Sequence, residues 1–281
     1  MSDELFRPDL VAVDLDGTLL LPDLEFVPGG PAAVAALRGA GVPFVLSTGR
    51  MFRSARRVAR ELGVDDGPVV CYQGAMVADL RTGEPLLHHP IGGELAAEVV
   101  LHLRTLGRHV NAFIADDLYV EELDEWARRY AQHSAVEINL TADLAAEVAA
   151  RAPTKFVVQS PAADVPRLVQ ELQAVWRGRL NVTRSQAEYI ELVDAAVSKS
   201  AALQWLCERL GLRRERVVAC GDGGNDVDML RWAGLGVAMA EAAPEVRAVA
   251  GLVVPRAGLA ALLERLSTAP FAGTGSEPRA G

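Results

Sequence analysis

The stretch Leu10-Val11-Ala12-Val13-Asp14-Leu15-Asp16-Gly17-Thr18-Leu19 decides the reading of this chain. Four apolar residues stop at a carboxylate, and a second carboxylate follows two positions on. A short continuous apolar run ending in turn residues fits a strand covered on both faces, as in a parallel sheet. In an extended chain residues i and i+2 point the same way. Asp14 and Asp16 therefore project together from the carboxyl end of the strand, where open α/β sheets bind ligands. Two acids so placed repel each other unless a cation or a proton intervenes, and an oxygen-rich set of this kind suits Mg²⁺. An Asp can also attack phosphorus and form an aspartyl-phosphate. Two plainer readings fit the same residues: an acidic turn after a strand, and an EF-hand-like calcium loop. The calcium pattern, counted from Asp14, wants a ligand at its fifth position and Gly at its sixth. Thr18 and Leu19 stand there, although Glu25 falls at the twelfth.

Outward from this segment the same punctuation recurs. Val42 to Leu46 is apolar and stops at Ser47-Thr48-Gly49-Arg50, Pro68 to Tyr72 is a third run, and Arg216 to Cys220 stops at Gly221-Asp222. Amphipathic segments separate the runs. Pro31–Ala40, Ser54–Leu62 and Lys199–Leu210 read as helices, each followed by a glycine that can adopt the left-handed cap. Strand–helix alternation predicts an α/β fold with a Rossmann-like, doubly wound parallel sheet. The middle of the chain differs. Helical spacing in Leu95, Val99, Leu103 and Leu106, and again from Val165 to Trp176, is mixed with short strands, and Ala115-Asp116-Asp117 is placed to turn a hairpin. We expect residues 1–84 and 189–269 to form the core, 85–188 an inserted α+β domain, and the Gly-, Ser- and Pro-rich 270–281 a loose tail.

Composition narrows the function. Of 281 residues, 50% are hydrophobic and 23% charged, which excludes a disordered chain. A net charge of −9 argues against a nucleic-acid partner, which needs a positive surface. A small anionic substrate stays open, because a bound divalent metal reverses the local field. No run approaches the ~20 apolar residues of a membrane span. The acidic Met1-Ser2-Asp3-Glu4 lacks the features of a signal peptide. We therefore expect a cytoplasmic protein with no membrane contact. Cys71, Cys207 and Cys220 are too few and scattered for a disulfide framework. No obligatory protein partner is indicated.

A second acidic segment, Gly221-Asp222-Gly223-Gly224-Asn225-Asp226-Val227-Asp228-Met229-Leu230, also follows an apolar strand. Asp222 would join Asp14 at one metal if the two strands are neighbours; alone, the segment also reads as a helix-capping loop. Asp228, further into the helix, reads as solvated. Lys199 opens a helix, where an exposed lysine is common. The helix dipole disfavours a cation there, so a nearby acidic cluster would give it a reason to be present.

Asp14-Leu15-Asp16-Gly17-Thr18, Ser47-Thr48-Gly49-Arg50, Lys199, and Gly221-Asp222-Gly223-Gly224-Asn225-Asp226 occur in that order. In this the chain resembles the four motifs of the haloacid-dehalogenase-like superfamily, and the large insert resembles that of its Cof-type, sugar-phosphatase-like branch. The resemblance runs from about Leu10 to about Leu266. It implies an inserted cap that closes over a small phosphorylated metabolite, and Mg²⁺-dependent hydrolysis of a phosphate monoester. It further implies that Asp14 is the nucleophile and that Asp16 protonates the leaving oxygen and then activates water. Mg²⁺ would be held by Asp14, the Asp16 carbonyl and Asp222, with Asp226 beside them orienting metal-bound water or Lys199. Thr48, the Gly49 N–H, Lys199 and Asn225 would hold the phosphoryl oxygens. Such an arrangement supplies the positioning and charge stabilisation that phosphoryl transfer needs.

The chain departs from the family pattern at Gln73, where relatives carry Asn, at Ala240-Glu241-Ala242 in place of Gly-Asn-Ala, and at Ser200 in place of Gly. None removes a catalytic group. Ser185 and Glu191 occupy familiar places near the return from the insert to the core, and Arg184 and Lys155 are candidates for contact with an anionic or hydroxylated substrate. Arg53, Arg56, Arg57 and Arg60 read as a solvated helix face. A sugar phosphomutase would use the same aspartyl-phosphate, and a phospho-ligand binding protein would keep the fold without turnover, though it would have no need of Asp16.

Overall fold

Strand β1 (Leu10–Val13) is an interior strand of the first sheet, with all four residues buried. The computed structural model describes residues 6–134 and 136–269; the expected tail at 270–281 and the first five residues lie outside them. The chain continues through α1 (Gly30–Gly39), β2 (Phe44–Leu46), α2 (Phe52–Glu61), β3 (Pro68–Cys71), β4 (Met76–Asp79) and β5 (Pro85–His88). The inserted part carries α3 (Gly93–Thr105), β6 (Val110–Ile114), β7 (Asp117–Val120), α4 (Glu125–Ser134), β8 (Ile138–Leu140), α5 (Leu144–Ala150), β9 (Lys155–Gln159), α6 (Val165–Val175), β10 (Leu180–Arg184) and β11 (Tyr189–Asp194). The return comprises α7 (Lys199–Leu210), β12 (Val217–Gly221), α8 (Val227–Trp232), β13 (Leu235–Met239), α9 (Pro244–Arg247), β14 (Leu252–Val254) and α10 (Leu259–Thr268).

The first sheet runs β14-β13-β12-β1-β2, parallel throughout. A parallel bridge from Ser47 to Val70 connects it to the antiparallel β3-β4-β5 meander. From β1 the chain steps to β2 on one side and later returns as β12 on the other. The strand order therefore reverses at β1, and the cleft at the carboxyl ends lies beside it. This is the expected α/β class. Apolar runs buried on both sides explain why β1 and β12 read as unbroken hydrophobic stretches.

The second sheet runs β10-β11-β9-β6-β7-β8 and has two unlike faces. Val110, Ala112, Ile114, Phe156, Val158, Ile190 and Leu192 alternate inward and pack with α3, α5 and α6 in the insert's own core. The intervening residues Phe113, Val157, Tyr189 and Val193 pack instead with the first domain and with α4. Period-two alternation thus divides one sheet between two jobs.

The expected boundaries at 84/85 and 188/189 do not coincide with the sheets. β5 pairs with β4, and β11 pairs with β9 and β10. The pairing shifts each boundary C-terminally by one strand, since a short strand carries no mark of which sheet it will join.

The β6–β7 hairpin turns at Ala115 and Asp116, both at positive φ (51° and 63°), as a tight two-residue turn requires. That turn reaches the first domain. Asp116 accepts hydrogen bonds from the Phe52 and Arg53 N–H groups (2.8 and 2.9 Å) and from the Tyr72 hydroxyl (2.6 Å). Helix α2 has no side-chain cap of its own, so a residue of the inserted domain satisfies its open N–H groups. Arg53, expected to be solvated, is 2.8 Å from Asp117 in the same turn.

Candidate active site

Asp14 follows β1 directly, and its N–H donates to the Cys220 carbonyl on β12 (2.9 Å). Adjacency of these strands brings Asp14 and Asp222 to one place. Oxygens of Asp14, Asp222 and Asp226 all lie within 4.8 Å of one another. Gly17, at φ 88°, lets the loop after β1 turn tightly there; a Cβ at this position would run into the Asp222 carboxylate. Thr18 Oγ1 donates to Asp222 Oδ1 (3.1 Å).

Lys199 sits in the first turn of α7, whose cap is Ser198, its hydroxyl accepting from Ala201 N–H (3.1 Å). The ammonium is buried, 2.6 Å from Asp14 Oδ1 and 2.6 Å from Asp226 Oδ1. Burial opposes its charge, but Asp14 and Asp226 outweigh that and hold its pKa above the ordinary range. Three clustered carboxylates still exceed one ammonium. Burial, then the Asp226 charge, push Asp14 well above the usual carboxylate range against the pull of Lys199. Burial and Asp226 raise Asp222 to about 6. Excess negative charge on hard oxygens is the environment a small divalent cation satisfies.

The four acids play unlike structural parts. Asp226 Oδ2 accepts from the N–H groups of Asp222 and Gly223 (3.0 and 2.9 Å) while Oδ1 takes Lys199, so both its oxygens are engaged in holding the loop and the lysine. Asp16 is gripped by Arg50, whose Nε and Nη2 donate to Oδ2 and Oδ1 (2.8 and 2.5 Å). This two-point contact fixes the plane of the carboxylate. The Ser47-Thr48-Gly49-Arg50 motif contains Arg50 but does not by itself mark its side chain; the only signal is a long guanidinium in a loop beside acidic residues.

A cleft of about 630 Å³, counting its solvent-open part, is lined by Asp14, Asp16, Gly49, Arg50, Asp222 and Asn225 from the first domain and by Tyr130, Lys155, Ser185, Tyr189 and Glu191 from the insert. Thr48, Lys199 and Asp226 are buried behind this wall. Thr48 Oγ1 accepts from the Arg50 N–H (3.1 Å), which leaves its own proton available. Asn225 Nδ2 donates to Gln73 Oε1 (3.0 Å). The Gln73 side chain crowds Gly49, where a Cβ would strike its amide nitrogen. The longer amide at 73 therefore braces two phosphate-site candidates at once.

The other departures also acquire partners. Glu241 accepts from the Arg256 N–H through both oxygens (3.2 and 3.0 Å), and Arg256 Nε donates to the Gly17 carbonyl (2.5 Å). Ser200 donates to Asp228 from its N–H (3.1 Å) and hydroxyl (2.7 Å), so Asp228 caps α7 rather than standing solvated. No sequence pattern marked Arg256. In the insert, Lys155 is no surface charge: it is 1% exposed, 2.8 Å from Glu191 Oε2, and donates to the Gly49 carbonyl (2.6 Å). Arg184 is exposed, donates to the Gln186 carbonyl (3.0 Å) and is not among the residues that line the cleft.

Residues 11–262 match the family profile of the haloacid dehalogenase-like hydrolases. YxeH of Bacillus subtilis, whose name assigns phosphatase activity provisionally, is 30% identical over 244 residues, covering 84% of this chain and 89% of that one. The 5-amino-6-(5-phospho-D-ribitylamino)uracil phosphatase YitU of the same organism is 28% identical over 258 residues, 87% and 91% of the two chains. The solved structure of TM0651 from Thermotoga maritima superposes with a TM-score of 0.79 at 30% identity, over 93% of this chain and 97% of the other. The four motifs, the doubly wound core and the α+β insert agree with these matches: the chain belongs to the haloacid dehalogenase-like hydrolases, as a phosphatase of the Cof type.

Proposed function

We propose that this protein hydrolyses small phosphate monoesters with Mg²⁺ through an aspartyl-phosphate on Asp14. The observation that carries the reading is the Asp14 carboxylate, held by Lys199 at 2.6 Å and facing a cleft that Asp16 and Asp222 also line. Lys199 on Oδ1 leaves Oδ2 of Asp14 as the attacking oxygen. Attack forms the Asp14–phosphorus bond and breaks the bond to the leaving oxygen, which takes a proton from Asp16. Asp16 then removes a proton from water, the water oxygen bonds to phosphorus, and Asp14 is released as carboxylate with free phosphate. The Thr48 hydroxyl, Gly49 N–H, Asn225 and Lys199 would hold the phosphoryl oxygens. Arg50 orients Asp16 and would have to release one of its oxygens for proton transfer.

The clustered oxygens fit Mg²⁺. Asp14, Asp222 and the Asp16 carbonyl would hold it, while Asp226, already engaged on both oxygens, would position Lys199 and the loop. When bound, the cation neutralises charge on the nucleophile and on the phosphoryl group. The cap contacts through Asp116 and Lys155 support a site shielded from bulk water. A small phosphorylated metabolite as substrate accords with the name of the relative YitU. A cytoplasmic location accords with three buried, unpaired cysteines. Phosphate release from a panel of phosphate monoesters, with Mg²⁺ and with EDTA, tests the reading. Turnover that requires Mg²⁺ supports it; absence of turnover across the panel, or full activity without metal, overturns it.

A further inference from the structure

The Thr48-Gly49-Arg50 segment is held by its three carbonyls, and the two domains share the task. The Thr48 carbonyl accepts from the Gln73 N–H (3.1 Å) and the Arg50 carbonyl from the Tyr72 N–H (3.0 Å). Both donors stand in the turn after β3 at positive φ, 53° for Tyr72 and 61° for Gln73. Two consecutive non-glycine residues in this region are strained, and such strain persists only where the surroundings enforce it. The Gly49 carbonyl, between the other two, is held from the inserted domain: Lys155 Nζ donates to it at 2.6 Å.

Lys155 opens β9, opposite Phe113 of β6. Its ammonium lies at the joint between the domains. Glu191 Oε2 (2.8 Å) and the Phe113 ring (5.1 Å) flank it from the insert, the Gly49 carbonyl and the Tyr72 ring (5.7 Å) from the first domain. Stability alone does not account for an ion pair whose lysine is 1% exposed, because apolar residues of similar volume often fill such a place without loss. An apolar residue cannot, however, donate to a backbone carbonyl of the other domain. The consequence of that bond runs through one peptide group. The Gly49 carbonyl and the Arg50 N–H belong to the same planar unit, and this N–H donates to Thr48 Oγ1 (3.1 Å). Fixing the carbonyl fixes the N–H, which occupies a lone pair of the Thr48 hydroxyl and leaves its proton for another acceptor. Glycine offers little resistance to rotation of this peptide, so its orientation depends on what holds its two ends.

We propose that Lys155 is a positioning residue of the phosphate site: reaching across from the inserted domain, it locks the Gly49–Arg50 peptide and thereby sets the Thr48 hydroxyl as a donor to the phosphoryl oxygens. The site is then complete only while the two domains are docked, and the insert contributes to phosphate binding without touching phosphate. The inference rests on the reading of Thr48 as a phosphoryl-oxygen donor. It gives the buried Lys155–Glu191 pair a task beyond packing: Glu191 holds the ammonium in place, and the ammonium holds the loop.

The test reads the binding of inorganic phosphate to the full chain by calorimetry, with Mg²⁺ present and without turnover. Phosphate has no leaving group, so contacts of Glu191 with the organic part of a substrate do not enter. Lys155→Met combined with Glu191→Leu removes the donor without stranding the carboxylate. Phosphate affinity should fall about 5–10-fold, the equivalent of one hydrogen bond. In a Thr48→Val background the same paired replacement should add no more than about twofold, because the hydroxyl it acts through is gone. An unchanged affinity, or equal losses with and without Thr48→Val, overturns the proposal. If the paired replacement does not fold, Lys155→Gln and Lys155→Met are compared. Both leave Glu191 without its cation, but only the amide can donate to the Gly49 carbonyl. Lys155→Gln should bind phosphate several-fold more tightly, and equal affinities overturn the proposal. A wild-type protein that binds no phosphate removes the phosphoryl assignment of Thr48 and this inference with it. One that binds phosphate regardless of Lys155 removes the inference alone, and turnover of phosphate monoesters decides the phosphatase reading separately.

Discussion

The two sheets bring side chains to the same cleft in opposite ways. The parallel sheet buries its strands on both faces and delivers chemistry only where they end, at Asp14 after β1 and Asp222 after β12. The inserted sheet delivers it sideways. Glu191, Tyr189 and Lys155 stand on the cleft face of β11 and β9, while Ile190, Leu192 and Phe156 between them fill the insert's own core. A strand end is a contiguous run of residues, whereas a sheet face is a selection of alternate residues from strands distant in the chain. The first kind of site is built to withstand little change, because each group has its own task. The second rests on buried polar pairs such as Lys155 and Glu191, whose members depend on one another.

Substitutions at the strand ends should show the larger effects. Asp14→Asn should reduce phosphate release by about 10³-fold or more, since an amide is a poor nucleophile. A folded variant with near-wild-type release would break the assignment. Asp16→Asn should cost about 10²–10⁴-fold on alkyl phosphates. With an aryl phosphate, rapid mixing should reveal a burst of leaving group followed by slow turnover. Equal turnover by variant and wild type on both substrate types would remove Asp16 from the acid–base role.

The cap face should respond in stability as much as in rate. Lys155→Met strands the buried Glu191 carboxylate and should cost about 3–5 kcal/mol in urea unfolding. Lys155→Met with Glu191→Leu should recover much of that loss. If the single and double variants are equally unstable, the pair is not the coupled unit described here.

Asp222 tests the opposite end of the comparison through pH. Its pKa is raised to about 6 in the fold against 3.8 for the free group, so its ionisation weakens the metal-free protein above pH 6. That penalty, at most about 3 kcal/mol, should lift as pH falls from 6 toward 4. Mg²⁺ should accordingly raise the unfolding midpoint more at pH 7 than at pH 5. A Mg²⁺ effect independent of pH would argue against Asp222 as a ligand. The smallest change is expected at the hairpin. Asp116→Ala removes the cap of α2 and should lower stability by about 1 kcal/mol, as measured by thermal unfolding. No loss would mean that the hairpin contact does not hold the domains together.

The contrast between the sheets also explains what could be read before folding. Asp14, Asp16, Asp222 and Lys199 stand in motifs because a strand and its following turn are consecutive residues. Helix α7 was read with its observed ends, Lys199 and Leu210, because glycine stops it and the amphipathic spacing is local. Asp226 was read as near the metal, but its two oxygens proved to be committed to Lys199 and to backbone N–H groups, a choice set by loop curvature rather than by residue type. Asp228, expected to be solvated, instead accepts from the Ser200 N–H and hydroxyl at the start of α7.

The sequence by itself determined the strand-end chemistry, the alternation that makes the doubly wound sheet, and the presence of an insert. Its information is one-dimensional, and these features depend on residues within a turn or two of each other. The tertiary structure alone decided which sheet β5 and β11 would join and that Arg50 would grip Asp16. It also decided that Arg256, far along the chain, would brace the Gly17 loop, and that Lys155 would cross from the insert to the Gly49 carbonyl. Those contacts depend on strand pairing and domain docking, where the partner is chosen by the shape and polarity left over once the two cores have packed.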